Sequence, residues 1–259
     1  MKTLWIASGI AAAVLLAGCS GNKRQPESTN SKEQSSEKAP AIDATTAATI
    51  SGKVTFSGTK PVMKIIDMSA TPACEHAHKA PQRSEEVVVN DNGTLKYVFV
   101  WVKSGVPDRA WPVPTTPVVL DQAGCMYEPH VLGVMVNQPV KITNSDPTNH
   151  NIHPLPRTNR EWNESQPPNG EPKLKRFTKQ EVMIPVKCNI HPWMRAWIGV
   201  VSHPFFAVTG DNGTFEIKGL PPGTYTLEAW HERYGTRDVQ VTLAPTEAKT
   251  VNFDYTATR

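Results

Sequence analysis

From Ile50 onward the chain is written in short runs rich in β-branched and aromatic residues, each closed by a turn signal: ISGKVTF, EVVVNDNGTLKYVFVWV, VLGVMV, PVKITN, EVMIPV, WIGVV, GTFEI, TYTLEAW and DVQVTL. Runs of this length and composition predict strands, and no stretch carries a helical period over a comparable length. The turns NDNG at residues 90–93 and GDNG at 210–213 place Asn, Asp and Gly where hairpins need them. The 23 prolines among 259 residues work against long helices. The expected fold class is therefore all-β, with sandwich architecture. Charge narrows the partners: 27 basic and 24 acidic side chains leave +3, and no basic run interleaves with aromatics, so nucleic acid is not an expected partner.

The first residues, MKTLWIASGIAAAVLLAG, combine Lys2, a short apolar stretch and small residues before Cys19. Residues 1–18 read as an export signal, removed on maturation. The alternative, a single membrane-spanning helix, meets a run that is short for a hydrocarbon core of about 30 Å. Leu16, Ala17, Gly18 and Cys19 resemble the bacterial lipobox, which implies a lipid-modified Cys19 anchoring the chain to a membrane. Ser20 after the cysteine points to the outer membrane, so the expected location is the cell envelope, facing the periplasm or the cell surface. Residues 19–47 hold almost no large apolar side chain and are expected to be a tether.

The stretch AVTGDNGTFEIKGLPPGTYTLEAW, 207–230, resembles the carboxypeptidase regulatory-like (Cna-B-like) sandwich in its turn-Gly-x-Phe strand and Leu-Pro-Pro-Gly-x-Tyr loop. That family opens with a Gly-x-Val strand and a second Val-rich strand. Matching elements stand far upstream, as ISGKVTFSG at 50–58 and YVFVWVKSG at 97–105. The resemblance implies one sandwich from 48–106 plus 207–257, interrupted by a second domain at 107–206. Alternatively, residues 207–257 form a separate appendage and the early strands belong to the metal domain.

Within the inserted segment, VKCNIHPWMRAW at 186–197 sets a thiol, an imidazole and a thioether close together, as Cys188, His191 and Met194. MYEPHVLGVMVNQPVKITNSDPTNHNIHP, 126–154, followed by EVMIPVKCNIHPWMRAWIGVV, is similar to the two halves of a cupredoxin, and the CNIHPWM loop to the short ligand loop of amicyanin. The resemblance implies one mononuclear type I copper with ligands His150, Cys188, His191 and Met194. Two imidazoles, a thiolate and a weak axial thioether form the donor set of blue-copper sites. His150 rather than His153 is expected as the upstream ligand, because residues three apart on a strand face opposite sides and because His150 precedes Asn151 as the family ligand does. Asn151 is then expected to hydrogen-bond near the cysteine sulfur. Pro192 and Trp193 would either shield the metal or form an apolar docking rim around His191.

With Cys19 lipidated and Cys188 a thiolate, Cys74 and Cys125 remain as an even pair in an oxidising compartment, and a disulfide is expected. The alternative is a second metal site at Cys74, His76 and His78. Ile184 stands where a dinuclear copper site needs a second cysteine, no covalent haem motif occurs, and His130, His203 and His231 are scattered singles. Trp101, Trp111, Trp197 and Trp230 are expected in the core. The polar stretch 155–175 is expected to be a long connection that covers the site or contacts a partner. The expected function is electron transfer rather than catalysis, with a transient redox protein partner docking over the ligand loop. A copper chaperone or sensor, and a purely structural module, are the competing readings.

Overall fold

The computed structural model describes residues 43–257. The export signal, Cys19 and the tether as far as residue 42 lie outside them. Among the described residues no helix is long and apolar enough to cross a membrane.

Strand Ala48–Ser57 shows how the pattern becomes a sheet: Ala48, Ile50, Val54 and Phe56 are buried while Thr49, Ser51 and Thr55 between them are not, as the two-residue repeat requires. It pairs antiparallel with Thr214–Leu220 and parallel with Ala248–Thr250 and Phe253–Thr256. The facing sheet runs in the order Phe206–Val208, Phe99–Ser104, Gly223–His231, Gly235–Leu243. Residues 207–257 are therefore not self-contained: strands from before residue 106 sit inside both of their sheets. Between these layers lies one core, including Ile50, Val100, Phe205, Leu227 and Tyr255.

Two further sheets come from the middle of the chain. One runs Met126–Glu128, Val118–Ala123, Val140–Asn144, Lys173–Lys175; the other runs Val131–Met135, Arg195–Val201, Glu181–Lys187, His150–Pro154, Glu164–Gln166. They enclose a second core that includes Leu120, Tyr127, Ile142, Ile152, Ile184 and Ile198. A smaller cluster around Phe99, Val131 and Val201 joins the two. Here close approach requires glycine: a Cβ on Gly199 would lie 2.6 Å from the Phe99 ring, and one on Gly133 would lie 2.5 Å from the ring of Phe206.

The polar stretch 155–175 is less irregular than its composition suggests. Glu164–Gln166 adds to the edge of His150–Pro154, and Lys173–Lys175 adds to Val140–Asn144. Its start is pinned by Glu181, whose carboxylate accepts the Thr158 N–H at 3.1 Å, the Thr158 hydroxyl at 2.8 Å and the Asn159 N–H at 3.0 Å. Burial pushes that carboxyl up, but the hydrogen bonds from Arg157, Asn159 and Thr158 outweigh it and hold it at about 2. A depressed carboxylate stabilises the fold above its unfolded value near 4.5, and that contribution is lost as pH falls towards about 2. Glu181→Gln should therefore cost about 2 kcal/mol at pH 7, in line with hydrogen bonds to charged groups. Denaturant melts at a series of pH values should show the difference from the parent chain shrinking below pH 4; a constant difference would contradict the assignment.

Residues 65–83 lie against the second core. Ile66 N–H donates to Gln82 O at 2.9 Å, Met68 is buried, and a short helix, Pro72–His76, turns Cys74 fully inward.

Candidate metal centre

Cys188 follows strand Glu181–Lys187 and Met194 precedes Arg195–Val201; these strands pair directly, with Lys187 opposite Arg195. The 188–194 loop is therefore the tip of a hairpin. It closes on itself through Cys188 N–H to Met194 O at 3.2 Å and Met194 N–H to His191 O at 3.0 Å. Pro192 restricts His191 before it to extended backbone and brings no further N–H to satisfy. On the neighbouring strand His150 is fully buried, whereas His153 turns towards Asn189 and Glu161 at the surface.

The side chains converge. His150 Nδ1 lies 2.9 Å from His191 Nδ1, and Cys188 Sγ lies 3.9 Å from the latter. His150, Cys188 and His191 together form a buried group able to hold a metal ion. Met194 is also fully buried, in the same core cluster. His150 Nε2 meets Asp146 Oδ2 at 2.8 Å. A carboxylate only accepts, so Nε2 carries a proton, and Nδ1 faces the cluster. Two ring nitrogens 2.9 Å apart repel unless a proton or a cation lies between them. Bonds of about 2.0 Å to nitrogen and about 2.3 Å to sulfur span these separations, so the donor set fits a soft or borderline metal.

The electrostatics favour a thiolate. Burial pushes the Cys188 thiol up, but hydrogen bonds from His150 and from the backbone N–H groups of Asn151, His191 and Ile190 hold it below its ordinary value. Asn151 Oδ1 receives the Asn189 N–H at 2.7 Å and stands 3.3 Å from the sulfur, tying loop to strand. Tyr127 donates its hydroxyl to Asn151 O at 2.6 Å. Burial likewise pushes the Asp146 carboxyl up, while His150 and the N–H groups of Cys125 and Gly124 outweigh it and keep it below the ordinary range.

Asp146 is the residue that sequence reasoning missed. Its place four before His150 in SDPTNH was the available signal. Its carboxylate binds the Gly124 and Cys125 N–H groups at 2.6 and 2.7 Å as well as His150. Asp146→Asn removes the anionic acceptor that fixes the ring, and such outer partners are worth 10–100-fold in metal affinity. Competition with a chelator for copper should show a loss of about that size; an unchanged affinity would remove Asp146 from the site.

Cys74 and Cys125 form a disulfide, so their sulfurs are not thiolate donors. The grouping of Cys125 with Asp146 and His150 is not a second metal site, because Asp146 is already engaged by two N–H groups and an imidazole. Nor does Cys74 supply a thiolate to His76 and His78; His78 Nε2 instead meets Gly124 O at 2.6 Å.

One expectation is corrected. His191 does not present a ring edge to an apolar docking rim: it is 1% exposed, and its Nε2 lies 3.7 Å from Cys74 Sγ. The 65–83 segment, held by the disulfide, caps it. Pro192 remains exposed, and Trp193 is partly exposed, with its ring 5.1 Å from that of His191 and its Nε1–H donated to Cys125 O at 3.0 Å. Trp101 and Trp111 are buried, but Trp197 and Trp230 are only partly so, packed on each other at 5.0 Å.

The chain is thus an all-β protein with a buried two-histidine, one-cysteine cluster, and known proteins resemble it in parts. The carboxypeptidase regulatory-like domain matches residues 200–256. No curated protein matches the sequence. Among solved structures, a copper-containing nitrite reductase from Thermus scotoductus SA-01 is 23% identical at a TM-score of 0.29, over 38% of this chain and 24% of that one. The Cu(I) form of an amicyanin variant is 26% identical at 0.30, over 39% of this chain and 97% of amicyanin. A purple cupredoxin from Nitrosopumilus maritimus is 24% identical at 0.25, over 29% and 81%. The chain spans about a quarter of the nitrite reductase. The chain's own strands and sheets make the fold class the all-β one expected.

Proposed function

We propose that this chain is an electron-transfer protein of the cell envelope, holding one copper ion in a mononuclear type I site of His150, Cys188, His191 and Met194 and anchored through a lipid on Cys19. The observation that carries this reading is the convergence of the two Nδ1 atoms and the Cys188 sulfur, with His150 oriented from behind by Asp146. Copper bound there would supply a couple whose two states differ by one electron.

The chain's own residues set the terms of that exchange. Asp146 keeps the proton on His150 Nε2, Asn151 fixes the loop beside the sulfur, and the surrounding core keeps water away from the donors. The ligands sit on paired strands and a closed hairpin, so the donor positions are set by the sheets before any ion arrives. Little atomic movement then accompanies gain or loss of an electron. A redox protein that accepts the electron would dock transiently, in the range of small interfaces below about 1,200 Å².

Voltammetry of the copper-loaded chain tests this reading. A reversible one-electron wave, with copper retained through repeated cycles in the presence of a Cu(I) chelator, is the expected result. Loss of copper to the chelator on each reduction would overturn electron transfer in favour of metal delivery.

A further inference from the structure

The capping of His191 leaves Trp193 as the part-exposed ring against a proposed ligand, and Trp193 lines a cleft of about 630 Å³. We infer that this cleft is the site at which a small hydroquinone-type reductant delivers electrons to the centre. The inference rests on the copper reading above and names the chemical class of the donor.

Size and walls fit such a molecule. Ligand pockets run from about 300 to 1,000 Å³, with mostly apolar and aromatic linings and a few convergent polar groups. Trp193, Trp197, Met126 and Ile66 form the apolar part of this one, whose lining also includes the charged side chains of Lys64, Asp67, Glu85, Glu86, Arg195 and Glu232. Flat rings of this kind offer stacking and edge contacts to a single aromatic ring. The cleft opens where the 65–83 segment, the ligand loop and the residues near 232 meet, so a bound ring lies beside a side chain that touches His191.

The polar groups fit the chemistry. A hydroquinone gives up an electron readily only if an O–H proton leaves with it, so its site needs a base. Glu232 is already engaged, by the Trp197 indole N–H and by His130 Nε2 at 3.1 Å. His130 is also committed, with Nδ1 3.0 Å from Arg195 O. Glu85 is different: one oxygen accepts the Tyr97 hydroxyl at 3.0 Å, the other lies 3.7 Å from His130 Nδ1, and the side chain is 25% exposed in the cleft. Asp67 and Glu86 also line the cleft, but Asp67 accepts from Ser69 and Glu86 lies 3.7 Å from Arg233, so Glu85 is the carboxylate we assign to take a proton from a ligand hydroxyl.

In each encounter one O–H bond of the hydroquinone breaks. The proton passes to the Glu85 carboxylate, making the acid. With copper held by His150, Cys188, His191 and Met194, Trp193 and His191 would lie on the path of the electron, and the oxidised metal would be the one-electron acceptor that balances the step. The organic product is a neutral phenoxyl-type radical, and two of these disproportionate in solution to one quinone and one hydroquinone. Glu85 then returns its proton to water.

Two measurements on the full chain test this. In the first, 1,4-benzohydroquinone is titrated anaerobically into metal-free protein, and the indole N–H signals are followed by NMR. Saturable shifts at Trp193 and Trp197 are expected in the parent chain, and the Trp197 shift should be lost in Trp193→Ala and kept in Trp193→Phe. In the second, reduction of the copper-loaded chain is followed by stopped flow. The rate should saturate with 1,4-benzohydroquinone but rise linearly with hexaammineruthenium(II), which carries no proton to lose. Glu85→Gln should slow the saturated hydroquinone rate at least about tenfold relative to its effect on the ruthenium rate, the low end for general-base assistance. Linear hydroquinone kinetics, absent indole shifts, or equal slowing of both reductants in a normally coloured chain would overturn this inference alone. A chain that binds no copper would overturn the metal reading and this one with it.

Discussion

Cys188→Ser is expected to abolish the visible absorption of the copper-loaded chain and to lower its copper affinity by at least about 100-fold. Copper(II) absorbs strongly in the visible when a thiolate donates into it; a serine hydroxyl stays protonated and is a poor donor to either copper oxidation state. The environment sharpens the difference. The sulfur of Cys188, which is 3% exposed, receives the His191 N–H at 3.4 Å, and His150 adds to the backbone N–H groups that hold the thiol below its ordinary value. A neutral hydroxyl leaves two imidazoles facing each other with no anion beside them. The fold should survive, because serine occupies less volume and the hairpin closes through backbone hydrogen bonds. Visible absorption and chelator competition report the site, and far-ultraviolet circular dichroism reports the fold. A variant that kept the band would show that the colour arises elsewhere.

Removing the disulfide, as Cys74→Ser with Cys125→Ser, should cost about 4 kcal/mol of stability, measured by denaturant unfolding. The residues are 51 apart in sequence, and closing a loop of that length in the unfolded chain accounts for a loss of this size. The variant should also loosen the 65–83 segment over His191, seen as faster hydrogen exchange of its backbone. Other ties persist there, including Trp193 to Cys125 O and His78 to Gly124 O, so the sheets themselves should stay protected. A cost below about 1 kcal/mol with unchanged exchange would mean that the cap holds without the bond.

Much of the site was legible because it is local. Cys188, His191 and Met194 share one hairpin tip, and in strand His150–Pro154, buried at every position but His153, His150 lies in the core while His153 faces the surface. The strands themselves were legible wherever burial gave them a two-residue repeat. What sequence could not show arises from contacts between distant segments. Asp146 acts through partners on either side of it in sequence, Gly124, Cys125 and His150. Cys74 meets His191 across 117 residues, and nothing in the ligand loop signals that a cap lies over it. Glu164–Gln166 and Lys173–Lys175 were hidden for a different reason: edge strands of polar residues carry pairing in their backbones, not in hydrophobicity. Trp197 and Trp230, expected in the core, are only partly buried: they pack on each other and against the cluster around Phe99 and Val131, and Trp197 also lines the cleft.

The most direct test of the central claim is the combined optical and electron paramagnetic resonance spectrum of the full chain loaded with one equivalent of Cu(II). A single copper species with intense visible absorption and a narrowed copper hyperfine splitting, both marks of a short copper–thiolate bond, is the predicted result. A colourless chain with the wide splitting of copper bound only by nitrogen and oxygen would contradict it.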